Sequence, residues 1–196
     1  MATLGMTKLE AVNQMLEAVG EMPVAALNTG GTSIEGEAER VLDRISEKVQ
    51  ARGWPENTDL GKTLTATAAG AITAPSDTLR IKPVGSNEDR TLVLQEDSVY
   101  DADNATAVFS SGESISFDIV KELTFANCSP PLKHLIATEA SIIFQRRKVK
   151  DEDQDLFLSQ ERNIDDMFAD HRKIESNRGP LNFQPLIVSQ QGREGR

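Results

Sequence analysis

Apolar residues return every three or four positions from Leu9 through Val12 and Leu16 to Val19, which predicts an amphipathic first helix. Thr7, followed three residues later by Glu10, has the signature of a capping box, and Gly20 closes the run. The next stretch, EMPVAALNTGGTSIEGEAER, carries Pro23 and the Gly30-Gly31 pair and predicts a connection. A second helix is predicted from about Glu35 to Arg52, with Ala38, Val41, Leu42, Ile45 and Val49 as its apolar stripe. Its acidic start (Glu35, Glu37, Glu39) and basic end (Lys48, Arg52) suit the helix dipole.

The period changes between Thr63 and Phe125. TLTAT, TLRIKPV, RTLVLQ and SISFDIV have β propensity and partial alternation, and APSD, GSNED, DADN and SSGE read as turns between them. In the last run Ile115, Phe117 and Ile119 share one face of a strand. Helical periodicity returns in SPPLKHLIATEASIIFQRR, where Ser129 is placed to cap and the prolines suit a first turn. A fourth helix is predicted from about Asp151 to Ile174. From Asn177 the prolines and glycines break any period, and the chain reads as an extended arm.

The expected fold is therefore α+β: a bundle of about four helices, an inserted small antiparallel β-sheet and an extended C-terminal arm. The boundaries assign 1–58 and 127–176 to a discontinuous helical bundle, 59–126 to the inserted sheet region and 177–196 to the arm.

Charge narrows the function classes. The net charge of −10 argues against gripping nucleic acid through its phosphates, which takes clustered Lys and Arg. Arg40, Arg44, Lys48 and Arg52 recur every four residues and so line one ridge, either a solvated face or one that meets an acidic neighbouring subunit. The opening MATLGMTKLEAVNQ has no apolar signal core, and no window approaches the ~20 apolar residues of a membrane span. The expectation is a product made in the host cytoplasm, with no membrane partner.

Candidate chemistry is thin. The single Cys128 excludes an intramolecular disulfide framework and a multi-thiolate zinc site; it is either a nucleophile or a small buried residue. His134 and His171 lack the HExxH spacing, and pairing Cys128 with His134 needs support from the fold. Asp151, Asp153 and Asp155 start like a calcium loop, but Leu156 and Arg162 stand where the template wants Gly and Glu. The stretch beginning at Asp101 fails at the same two places. No phosphate-cradling glycine pattern occurs. No cofactor, metal or catalytic residue is implied, and an enzyme is disfavoured.

The order of several short stretches carries more. AVNQMLEAVGEMPVAAL from Ala11, EAERVLDRISEKVQARGWPENTD from Glu37, SVYD from Ser98 and PPLKHLIATEASIIFQRR from Pro130 together resemble the tail tubular protein A family, the head-to-tail adaptors of short-tailed, podovirus-type bacteriophages. Val12-Asn13, Gly20-Glu21, Pro23-Val24, the run Val49 to Trp54, Tyr100-Asp101 and Phe144-Gln145 carry the likeness, over roughly residues 9 to 170.

The resemblance implies a virion structural protein at the head–tail interface. Its members form a dodecameric ring that joins the portal protein to the tail nozzle (tail tubular protein B) and continues the channel through which DNA passes without specific binding. It also implies that Gly53 and Trp54 form a helix–sheet junction: Gly53 closes the helix in a left-handed conformation and Trp54 roofs the seam. In the arm, Phe183 and Leu186 are apolar anchors for docking on the portal or a neighbouring subunit, unless the arm is a frayed terminus. The competing reading is a tail-associated glycan or peptidoglycan hydrolase, which would need two carboxylates about 5 to 9 Å apart in a cleft.

Overall fold

The computed structural model describes residues 5–27 and 33–148, together with Asn163. Helix α1 spans Lys8–Glu17. Its capping box is formed: the Glu10 N–H donates to Thr7 Oγ1 at 3.2 Å, and the Thr7 N–H donates to Glu10 Oε2 at 2.7 Å. Helix α2 spans Ile34–Gln50, with Ser33 at its N-cap. Helix α3 spans Pro130–Lys148. It opens with two prolines, whose missing N–H groups cost nothing in a first turn.

The three helices pack on one another, and α3 is the most enclosed, with buried residues on several sides from Leu132 to Gln145. Val12, Met15, Leu16, Leu42, Ile45, Leu135, Ile136 and Phe144 form the centre of this helical core. Loops complete it with Trp54, Phe125 and Cys128.

Between α2 and α3 run five strands: β1 (Thr58–Thr65), β2 (Thr78–Pro83), β3 (Leu92–Gln95), β4 (Ser98–Asp101) and β5 (Ser114–Lys121). They make a three-stranded antiparallel sheet in the order β1-β5-β2 and a two-stranded antiparallel sheet of β3 and β4. Alternation along β5 sends Ile115, Phe117 and Ile119 into a second apolar cluster with Ile72, Leu92, Val99 and Phe109. On the opposite face Thr63 and Thr65 pair their hydroxyls with Ser116 and Ser114 at 3.2 and 2.9 Å. A register shift between Asp59 and Lys62 bulges β1, and the Gly61 N–H donates to Asp118 Oδ1 at 2.9 Å.

Two expectations are corrected. The body is not a four-helix bundle: the described residues hold three helices, which close the helical core with side chains from the connecting loops. Of the fourth helix expected over 151–174 only Asn163 is described, as helical, and the arm over 177–196 lies outside the described residues. The inserted strands are antiparallel as expected, but hydrogen bonding divides them into two sheets, β1-β5-β2 and β3-β4, and β4 is not among the β runs read from the sequence. It is only four residues long, and Val99 is its one buried apolar side chain, so alternation had almost nothing to show.

Candidate functional site

The last turn of α2, the turn after it and the end of β5 meet at one seam. Gly53 closes α2 at φ +80°, and a Cβ there would lie 2.9 Å from the Arg80 guanidinium and 3.2 Å from Val120 Cγ2. The left-handed backbone favours glycine, whereas the Arg80 contact is with the end of a flexible side chain. Trp54 follows, only 4 % exposed and packed into the helical core. Its indole Nε1–H donates to the Val49 carbonyl at 2.8 Å, which also accepts the Arg52 N–H at 3.2 Å.

The covalent step from helix to strand is reinforced by two buried amides. A short 3-10 turn, Pro55–Asn57, folds Asn57 back under Trp54. Asn57 Oδ1 accepts the Trp54 N–H at 2.7 Å, while Nδ2 donates to the carbonyls of Gln50 at 3.1 Å and Lys121 at 2.9 Å. Asn57 thus holds the end of α2, the turn and the end of β5 together.

Gln50, fully buried, does the same from the helix side. Its Oε1 accepts the Leu123 N–H at 2.7 Å, and its Nε2 donates to the Leu123 carbonyl at 3.0 Å and to Ser46 Oγ at 2.9 Å. Its side-chain amide thereby satisfies both backbone groups of Leu123, as a neighbouring strand would. From β2, the Arg80 guanidinium donates to the Arg52 carbonyl at 3.2 Å.

A second polar cluster fixes the corner of the β3–β4 sheet. Arg90 donates to Asp101 Oδ2 at 2.8 Å and to Glu113 Oε1 at 2.7 Å, and its guanidinium sits 5.6 Å from the Phe109 ring centroid. Asp101 is 1 % exposed and also accepts the N–H groups of Asp103 and Asn104. The Arg90 hydrogen bond, helped by Asn104, holds the Asp101 carboxyl down at about 2. Arg90 lowers Glu113 as well.

The residues singled out from the sequence fall in different places. Gly53 and Trp54 sit in the seam. Arg40, Arg44 and Lys48 are exposed along α2. Arg52 leaves that ridge, because it lies past the end of α2 and pairs with the buried Glu139 at 2.6 Å. Phe183 and Leu186 lie outside the described residues. Cys128 is buried, its Sγ–H reaches the Thr124 carbonyl at 3.6 Å, and burial raises the thiol to about 11. Such a thiol is a poor nucleophile at neutral pH. His134 faces solvent. Among the described residues no group of His, Cys, Asp or Glu converges as a metal site, and no helix is long and apolar enough to cross a membrane.

The seam is built to hold an angle, with its buried amides spent mainly on backbone partners. A family model described as tail tubular protein matches residues 9–177. The chain belongs to the tail tubular protein family. It is a structural component of a phage tail. No curated protein matches it.

The stretches that carried the family resemblance have physical tasks in the structure. Asn13 Nδ2 donates to the Val24 carbonyl at 3.0 Å and Asn13 Oδ1 accepts the Val24 N–H at 2.8 Å, which ties the segment after α1 back onto that helix. Gly53 and Trp54 turn the seam, and Asp101 anchors the β3–β4 corner. Sequence reasoning missed Gln50, Asn57 and Arg90. Asn57 stands three residues after Trp54 within a Pro-Glu-Asn turn, a spacing that could have flagged it. For Gln50 the signal was a polar residue next to the apolar stripe of α2, too weak to separate it from a solvated position.

Proposed function

We propose that this tail protein is the head-to-tail adaptor: a dodecameric ring between the portal protein and the tail nozzle, whose bore forms part of the DNA ejection channel. The observation that carries this reading is the family match over residues 9–177, to which the resemblance to tail tubular protein A adds the adaptor role. The acid excess supports it, since a bore that repels phosphates lets DNA slide without being held. The seam supports it too, because a closed ring needs subunits whose parts keep a fixed angle.

The same proposal assigns parts of the chain. Residues 1–58 and 127–176 form the body, 59–126 the β region and 177–196 a docking arm with Phe183 and Leu186 as anchors. The separate apolar clusters of the helices and the strands favour this division. Arg40, Arg44 and Lys48, exposed on α2, face an acidic surface of the adjacent subunit. The role is structural, with the work done at interfaces.

The test is to mix the purified chain with purified portal and image the product. Twelve-fold rings seated on the portal are the expected result. A chain that neither closes a ring nor binds portal contradicts the reading. Arg44→Glu should weaken assembly in a salt-dependent way, and removal of residues 180–196 should impair portal attachment.

A further inference from the structure

The β3–β4 hairpin has an outer face with no partner in the fold. Leu92, Leu94 and Val99 turn inward to the apolar cluster of the strands. Val93 and Tyr100, opposite one another in the hairpin, therefore point outward. Val93 is 40 % exposed and Tyr100 is half-buried. Tyr100 is the only tyrosine of the chain, and its hydroxyl has no hydrogen-bond partner among the described residues.

Charge frames that face with one sign. Residues 91–120 hold six carboxylates and no Lys, Arg or His. Arg90 engages two of them, Asp101 and Glu113. Gln95 pairs with Ser98, so Glu96 and Asp97 alone make the hairpin turn, and both are exposed. Neither carboxylate meets a cation among the described residues. The Asp97 carbonyl accepts the Ala74 N–H at 2.8 Å, which steadies the tip from behind.

The opposite sign lies on α2. Arg44 and Lys48 are exposed one turn apart and make no ion pair among the described residues. Asp43 on the same strip is engaged by Lys8 at 2.8 Å, so between Arg40 and Lys48 only the Glu47 carboxylate opposes them. The strip from Arg40 to Lys48 is ~12 Å long. The hairpin from its tip to Tyr100 is ~10 Å long, a matching length.

We propose that the outer face of the β3–β4 hairpin of one copy lies along the α2 ridge of the next. Glu96 and Asp97 meet Arg44 and Lys48, and Tyr100 with Val93 packs beneath the stems and a guanidinium of the ridge. The contact rests on the ring reading for its setting and names the acidic surface that the ridge faces. Charge complementarity selects a second copy as the occupant. Tyr and Arg, the residue types that most often carry interface energy, stand on opposite sides of it. The two surfaces share no residue, so the contact is heterologous, the type that closes into a ring or runs on as an open chain.

The test uses the full chain and follows self-association by sedimentation and imaging at low and high salt. The hairpin variant carries Glu96→Lys and Asp97→Lys, and the ridge variant Arg44→Glu and Lys48→Glu. Each alone should raise the concentration for half-assembly on the order of tenfold or more, because like charges then face each other. Mixed in equal amounts, the two should assemble again, since every contact between alternating copies joins opposite charges. A misfolded variant cannot be rescued in this way, so recovery on mixing excludes damage to the fold. Tyr100→Ala should weaken assembly by about tenfold with little dependence on salt.

Wild-type assembly by the hairpin variant overturns the proposal. If the ridge variant fails in that case, the ridge meets a different acidic surface and the ring reading stands. Two failing variants that do not recover on mixing overturn the proposal as well. Open chains that depend on both surfaces support the contact and contradict the closed ring. A wild-type chain that neither self-associates nor seats on the portal overturns the ring reading and this contact with it.

Discussion

The seam between α2 and the strands and the corner of the β3–β4 sheet both bury polar side chains, but they use different chemistry. At the seam the buried groups are neutral amides, Gln50 and Asn57, whose donors and acceptors are taken up mainly by backbone. At the corner they are charges, with Arg90 held between Asp101 and Glu113. Neutral amides satisfy backbone without a large desolvation penalty and do not titrate. A charged cluster makes stronger individual bonds but ties its stability to pH. The part that sets the angle between helices and strands is therefore the part insulated from solution conditions.

The comparison can be broken by substitution. Trp54→Ala should have the largest effect, on the order of 3 to 5 kcal/mol, because it empties a large buried volume in the helical core. Urea unfolding followed by circular dichroism measures it, and a loss below about 1 kcal/mol would mean that Trp54 is not part of the core. Asn57→Ala should come next, at about 3 kcal/mol. It leaves the Trp54 N–H and the carbonyls of Gln50 and Lys121 without that partner. Gly53→Ala should cost about 1 to 2 kcal/mol for the left-handed conformation, with more added if Arg80 cannot move aside.

The smallest effect at neutral pH, and the one that sharpens the contrast, is acid sensitivity. The folded Asp101 carboxyl lies at about 2, below an unfolded value of about 3.9. Its stabilisation is therefore complete above about pH 4 and is lost as pH falls toward 2. The chain has one Tyr and one Trp, and Tyr100 belongs to β4 while Trp54 belongs to the seam. On acid titration the Tyr100 near-ultraviolet signal should change before Trp54 emission shifts to the red. Simultaneous change, or Trp54 leading, would show that the corner is no more acid-labile than the seam.

How far the sequence reached depended on the kind of interaction. The stripe Ala38, Val41, Leu42, Ile45 and Val49 and the alternation of Ile115, Phe117 and Ile119 announce buried faces, because burial imposes a period on the chain. The Thr7–Glu10 cap was legible because both partners lie within one turn. The contacts of Gln50 with Leu123 and of Asn57 with Lys121 join residues far apart in the chain, and no local pattern records them. Arg52 shows the opposite error. Four-residue spacing put it on the exposed ridge, but the helix ends before it and its side chain turns to Glu139.

The central claim is that the seam is locked, so that helices and strands move as one piece. Native-state hydrogen exchange tests it most directly at the Leu123 amide, which donates to Gln50 across the seam, and at the Trp54 amide, which donates to Asn57 within the turn. A locked seam predicts that both exchange only when the whole domain unfolds, with the same free energy as the innermost amides of α3 and the same response to denaturant. If instead both exchange through a local opening, orders of magnitude faster than the α3 amides and independent of denaturant, the seam is a hinge and the account is contradicted.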